Sequence, residues 1–365
     1  MNNIPKILYV MRDDGGCGYF RCKQPADFIK LMGIAETLVV MQTPTDDQLN
    51  AADLVVMQEM GGQNAVQIFE KLRRGKIPFV CEFDDFIHHV SPRNTWGFPA
   101  WNPGTLYIHR AMELARAASG ITVSTPQLAR EYFPYNENIY IVPNYLNKDI
   151  WDNPVAKRND GKIRIGWMGG NAHADDLKMI SKVIEKIVQK HAPRVMFETM
   201  GMSHQELGGV FNLEAYSDTC PSCGYQGTLR HSAGEPIDVY AQALSSKGWD
   251  IAVAPVINNS FGNCKSDLKL KEYAAARIAT VASSVVPYKE AVDNGASVLL
   301  ASSFEEWYNI IEDLIEHPEK RDDMVRRNTE WADRNWIQNH AQNIFEIYMQ
   351  ILSRAEARLG KRIRI

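Results

Sequence analysis

The chain has 365 residues, enough for two domains of ordinary size, and its 45% hydrophobic and 23% charged residues are the balance of a chain that buries a core. A net charge of -4 excludes a global electrostatic drive toward nucleic acid or an anionic membrane, and no apolar run reaches membrane-spanning length. Six scattered cysteines, and an N-terminus that enters a strand without an apolar leader, give the reducing cytoplasm as the expected setting.

From the N-terminus, apolar runs of strand length alternate with amphipathic stretches. Strands are predicted at Lys6–Met11, Thr37–Val40, Asp53–Met57, Pro78–Phe83, Gly120–Val123 and Ile139–Val142, with helices at Gln24–Met32, Asn64–Arg74, Thr105–Ala118 and Thr125–Glu131. Residues 145–162 are polar, contain Pro and Gly, and read as a linker. The alternation then restarts, with strands at Ile163–Trp167, Val195–Met200, Asp250–Ala254, Ile278–Ser283 and Ser297–Leu300. Its helices fall at Ala174–Lys190, Pro236–Ser245, Ser266–Ala276, Pro287–Asn294 and Ser303–His317, and the chain is helical almost to its end beyond Pro318. Alternation of this kind implies an α/β architecture of two Rossmann-like, doubly wound parallel sheets facing a cleft. The expected divisions are 1–148, 160–330 and a C-terminal helical segment 331–358.

Polar groups cluster where strands end. The first strand runs into Gly15 and Gly16, and Arg21 follows near a helix start, where a cation needs an anionic partner, either a ligand or a surface carboxylate. The strand ending at Phe83 runs into Asp84 and Asp85, placed for proton transfer or hydroxyl binding; with His88 and His89 they match no strong metal template. At the start of the second half, Gly169, Gly170, Asn171 and His173 join a strand to a helix without the spacing of the dinucleotide fingerprint. Cys220 and Cys223 have zinc-knuckle spacing, but a structural site needs four ligands and only His204 and His231 lie near in sequence, so no metal is expected and a plain reduced turn is the simpler reading.

The richest stretch is Asn263 to Ala276. Lys265, Lys269 and Glu272 fall on one helical face, with Ser266 or Asp267 available as N-cap and Leu268 beside them. Two ammonium groups at a helix start suit a pyrophosphate, and a carboxylate one turn on can accept from a ribose diol. A solvated helix face with a Lys–Glu pair is the bland alternative.

The motif Lys265-Ser266-x-x-Lys269-x-x-Glu272-Tyr273, with its trailing strand, resembles the donor-binding region of group 1 (GT4-type) glycosyltransferases of the GT-B fold. Both halves share that family's motif order: Gly15-Gly16, Asp84-Asp85, Ser124, Pro143-Asn144, Gly169-Gly170-Asn171 with His173, and an aromatic final helix carrying Trp331, Trp336, Phe345 and Tyr348. The chain departs from the family where Cys264 stands at the first glutamate of the donor motif, where Asp84 stands at the histidine of the acceptor-domain pair, and at the Gly169-Gly170 loop, which lacks the family's basic residues and leaves their place to Lys265 and Lys269. The resemblance implies a GT-B fold with a final helix crossing back to the first domain. It implies a retaining transfer of sugar from a nucleotide-diphosphate donor, UDP- or GDP-linked, with no cofactor or divalent cation required. Lys265 and Lys269 would hold the diphosphate and Glu272 the ribose, while Asp84 or Asp85 would engage hydroxyls. A saccharide or lipid-linked glycan is the default acceptor. A hydroxymethylated base in phage DNA is the second, suggested by the basic tail Arg354, Arg358, Lys361, Arg362 and Arg364 and by the knuckle spacing of Cys220 and Cys223. A sugar-nucleotide epimerase and a non-catalytic nucleotide-sugar binding protein are the remaining alternatives.

Overall fold

A computed structural model describes residues 4–58, 61–92, 94, 97–152, 158, 160–202, 204–211 and 229–359. The apolar runs become strands because both of their faces are covered. In β1 (Lys6–Val10), β2 (Glu36–Val40), β3 (Leu54–Gln58), β4 (Phe79–Phe83), β5 (Gly120–Val123) and β6 (Ile139–Ile141), the central strands β3, β4 and β5 are buried at every position. That is the signature of a parallel sheet between helical layers. The second set comprises β7 (Ile163–Met168), β8 (Val195–Gly201), β9 (Leu229–Ala233), β10 (Ile251–Ala254), β11 (Ala279–Ser283) and β12 (Val298–Ala301). Each set forms one six-stranded sheet, in the orders β2-β1-β3-β4-β5-β6 and β12-β11-β10-β7-β8-β9. Every pairing is parallel.

Strand order reverses at β1/β3 in the first sheet and at β7/β10 in the second. Open parallel sheets bind ligands at such switch points, beyond the carboxyl ends of their strands. The loops after β1, β7 and β10 are therefore the ones the fold places for binding.

Each sheet has its own core, and each core borrows from the other half. Phe20 packs among second-half residues such as Leu270 and Trp336, while Cys264 is buried with first-half residues such as Phe83 and Leu128. The C-terminal helix Ala341–Leu359 returns to the first sheet, where Ile344, Tyr348 and Ile351 join the cluster of Ile7, Tyr9 and Val56. No helix among the described residues is long and apolar enough to cross a membrane.

Several local readings are corrected. Residues 145–162 are not structureless throughout: Lys148–Trp151 is helical, Trp151 is buried, and Leu146 bridges to Trp336. The helix Asp46–Ala51 escaped the pattern because it buries one residue, Leu49, although Thr45 and Gln48 form a complete capping box at its start. The edge strand β9 reads Leu-Arg-His-Ser-Ala, with no apolar run to mark it.

Candidate functional site

A cavity of about 830 Å³ opens between the carboxyl ends of the two sheets. Its walls include Gly15, Gly16, Asp84 and Asp85 from the first half, and Gly169, Gly170, His173, Lys265, Ser266, Leu268, Lys269 and Glu272 from the second. The structure thus brings these twelve residues, all singled out in the sequence, onto one cavity. At Gly16 and Gly170 nothing lies within 4 Å of where a Cβ would stand, so the cavity meets bare backbone there. Gly201, with φ +105°, ends β8 so close to β7 that a Cβ would sit 2.8 Å from the Gly169 carbonyl oxygen, which makes glycine necessary on the cavity floor.

Arg21 is the clearest correction. It sits in the π-helical turn Tyr19–Lys23, 3% exposed, and does not line the cavity. Its guanidinium donates to Glu82 through Nε (2.8 Å) and Nη2 (2.6 Å), and through Nη1 to the Val142 carbonyl (2.6 Å) and to Asn144 Oδ1 (2.7 Å). Burial disfavours its charge, but Glu82, with Asp84 beyond it, more than offsets this and holds its pKa above the usual arginine value. The anionic partner this cation needs is internal. Asn171 lies beside the main cavity, along a 430 Å³ depression it shares with His231 and Gly234.

The helix bearing Lys269 and Glu272 begins at Leu268, two residues later than the spacing predicts, so Lys265 lies in the loop before it rather than on its face; Asp267 stands at the N-cap, but its side chain caps no amide. The Asp267 carboxylate pairs with Lys271 at 2.8 Å, and the Ser266 hydroxyl accepts from Asn144 Nδ2 at 3.1 Å. Lys265 reaches across the cleft to Asp85 (2.9 Å) and over the Phe261 ring. Burial opposes its charge, but Asp85 prevails and holds its pKa above the ordinary lysine range.

Lys269 is in a different state. Its ammonium lies over the Trp167 ring, at 5.2 Å. Burial pulls its pKa down to about 8, against the opposing pull of Asp176 and Glu272. Glu272 is buried one turn on, and burial pushes its pKa up to about 8 against Lys269 and the nearby Tyr240 hydroxyl. Both groups are desolvated more than their neighbours compensate, so an incoming anion and its hydroxyls would relieve them.

His173 is held by Asp176, whose Oδ2 lies 2.9 Å from Nδ1 while Oδ1 accepts from the Ile257 amide. Burial and the nearby Lys269 lower the imidazole pKa, so at neutral pH it stays uncharged beside the lysines. Asp176 and Lys271 were missed in the sequence, and Asn144 was noticed there only as a family landmark, without a role. Asp176 carried a signal, standing three residues after His173 on the same helix face.

On the opposite wall, the turn carrying Asp84 and Asp85 is pinned by hydroxyls from the neighbouring strand end and helix. Ser124 Oγ donates to the Asp84 carbonyl at 3.0 Å and Tyr132 Oη to the Asp85 carbonyl at 3.0 Å. Among the described residues, no group of three or more His, Cys, Asp or Glu side chains could hold a metal ion. Cys220 and Cys223 lie outside the described residues.

No family model matches the sequence, and no curated protein sequence matches it. Solved structures do resemble the fold. Sucrose-phosphate synthase from Thermosynechococcus elongatus superposes with TM-score 0.70 at 12% identity, over 96% of this chain and 100% of that one. Anabaena HepE in complex with UDP gives TM-score 0.63 at 13% identity, covering 94% of this chain and 99% of its own. A glycosyltransferase from Rickettsia africae gives 0.67 at 11% identity, over 96% and 99%. At these identities the likeness establishes the GT-B architecture, two parallel-sheet halves around a cleft.

Proposed function

We propose that the protein is a glycosyltransferase that moves a sugar, with retention at the anomeric carbon, from a nucleotide-diphosphate donor to a hydroxyl acceptor. The observation that carries this reading is the undercompensated pair Lys269 and Glu272 on the wall of the interdomain cavity, within one helical turn of each other. A pyrophosphate supplies Lys269 with counter-charge beyond that of Asp176 and Glu272, and a ribose diol supplies hydrogen-bond partners for Glu272. UDP- and UDP-glucose-bound forms of the structurally similar Anabaena HepE support a uridine nucleotide as the first donor to test.

As the glycosidic oxygen departs, charge builds on the diphosphate, and Lys269, joined by Lys265, stabilises it. The backbone at Gly16 and Gly170 leaves room for the phosphates and sugar to approach. Asp84 and Asp85 face the reacting centre from the acceptor side, where a carboxylate can bind a hydroxyl or take its proton. No cofactor enters this scheme. The acceptor is proposed to be a saccharide or lipid-linked glycan. On the basic tail, Arg354 is engaged with Asn138 (2.8 Å) and the Tyr140 ring, which gives no support to its use as a DNA contact.

The test is thermal shift with UDP-glucose, UDP-N-acetylglucosamine and GDP-mannose, followed by assay of nucleotide diphosphate release with and without simple glycosides. A donor that stabilises the protein and is turned over faster with an acceptor upholds the reading. Conversion of the donor with no acceptor and no release of nucleotide would make the protein an epimerase.

A further inference from the structure

We propose that Asn144 is a positioning residue that fixes the register between the two walls of the cleft, acting through Asp84 and Ser266. The inference rests on the glycosyltransferase reading and goes beyond it, because Asn144 does not line the cavity.

Asn144 is 1% exposed and lies just past the last strand of the first sheet. Its Nδ2 donates to Asp84 Oδ1 at 3.0 Å on one wall and to Ser266 Oγ at 3.1 Å on the other. Its Oδ1 accepts from Arg21 Nη1 at 2.7 Å, and its carbonyl oxygen accepts from Lys271 Nζ at 2.8 Å. A primary amide suits this place because it offers two N–H donors and an acceptor in one plane. A carboxylate would set its oxygens against Asp84, and a hydroxyl is too short to span both walls. The amide cannot be turned over either, since its oxygen would then face a carboxylate and its hydrogens a guanidinium.

What lies behind the amide makes it rigid. Arg21 is clamped by Glu82 on β4, the strand that leads directly into Asp84. Lys271 is clamped by Asp267, between Ser266 and the helix that carries Lys269 and Glu272. The buried pair Arg21–Glu82 from the first half and the partly buried pair Lys271–Asp267 from the second therefore meet on one asparagine. A displacement there moves the acceptor-side carboxylate relative to the donor-side lysine, and a misplacement of about 1 Å can cost about 10²-fold in rate.

The experiment is kinetic, using UDP binding by calorimetry and turnover of whichever sugar nucleotide the wild-type protein uses. Asn144→Asp is expected to lower kcat by about 10²-fold while the UDP dissociation constant stays within about threefold. Asn144→Ala should lower kcat strongly in the wild-type background but little when Asp84 is already alanine, since its effect passes through that carboxylate. If Asn144 variants do not fold, the cycle Asp84→Ala, Ser266→Ala and the double variant replaces them. These two side chains meet through Asn144, so their effects on kcat should depart from multiplicative by about tenfold. Multiplicative effects in that cycle, or kcat of Asn144→Asp within about threefold of wild type, would overturn the positioning role and leave the glycosyltransferase reading intact. Wild-type protein that neither binds UDP nor turns over any sugar nucleotide would overturn both.

Discussion

Arg21 and Lys269 are both cations near the start of a helix beside the cleft, and they are treated in opposite ways. Arg21 gives four hydrogen bonds to Glu82, Val142 and Asn144, and its charge is held more firmly than in water. Lys269 rests over an aromatic ring with its pKa depressed to about 8. The first has its partners inside the fold and braces it. The second is left short of them, a standing cost to the fold that a ligand can remove. Saturation of a desolvated charge, rather than its presence, separates the brace from the binding group.

That contrast can be broken most directly at Arg21. Arg21→Met should destabilise the protein by about 3–5 kcal/mol, because it strands Glu82 in the core without a counter-ion. Adding Glu82→Leu should recover much of the loss, since replacing a whole buried pair by apolar groups is often close to neutral. Urea denaturation of the single and double variants measures both. A single variant as stable as wild type would mean that the pair braces nothing.

Lys269→Ala should show the reverse pattern. Turnover should fall by about 10²–10³-fold, the usual cost of losing one group aimed at developing charge. The melting temperature should hold or rise, because a desolvated ammonium has been removed. Steady-state kinetics beside thermal melts would expose a merely structural lysine as a loss of stability with little loss of rate.

The same contrast explains how much could be read in the chain. The doubly wound sheets were legible because every strand but β9 carries an apolar run or alternates with a clear helix. The main cavity residues were legible because parallel sheets put chemistry at strand ends: Gly15 after β1, Asp84 after β4, Gly169 after β7 and Lys265 after β10. Partners were not legible. Nothing local to Arg21 says that its carboxylate is Glu82, 61 positions on and mid-strand. Asn144 could be noticed only as a landmark, since its four contacts come from Arg21, Asp84, Ser266 and Lys271, which no short window contains.

Glu272 sharpens the comparison through pH. Its folded pKa is raised to about 8 from an ordinary 4.5, so the folded state binds its proton more tightly than the unfolded chain does. The stability this contributes is complete below the unfolded value and is lost as pH climbs toward 8. Glu272→Gln removes the titration. The variant should therefore gain on wild type between about pH 5 and pH 8, by about 3–4 kcal/mol at 1.36 kcal/mol per pK unit. Denaturation curves at several pH values test it, and parallel curves for the two proteins would show that the carboxyl is not desolvated.

The smallest expected effect lies at Asp85, which stands between the two kinds of charge. Its Oδ1 is 2.9 Å from Lys265 Nζ, so the donor must draw that lysine away from an ion pair before using it. Asp85→Asn frees the ammonium while leaving the Tyr132 bond to the backbone carbonyl in place. UDP should then bind about three- to tenfold more tightly, a gain of about 0.7–1.4 kcal/mol, with a steeper salt dependence because a free cation has replaced a pair. Lys265→Ala should weaken binding instead. If Asp85→Asn also weakens UDP binding, the pair is not a competitor for the phosphates but a brace like Arg21 and Glu82, holding Lys265 at the angle the diphosphate requires; calorimetry at two salt concentrations decides between them.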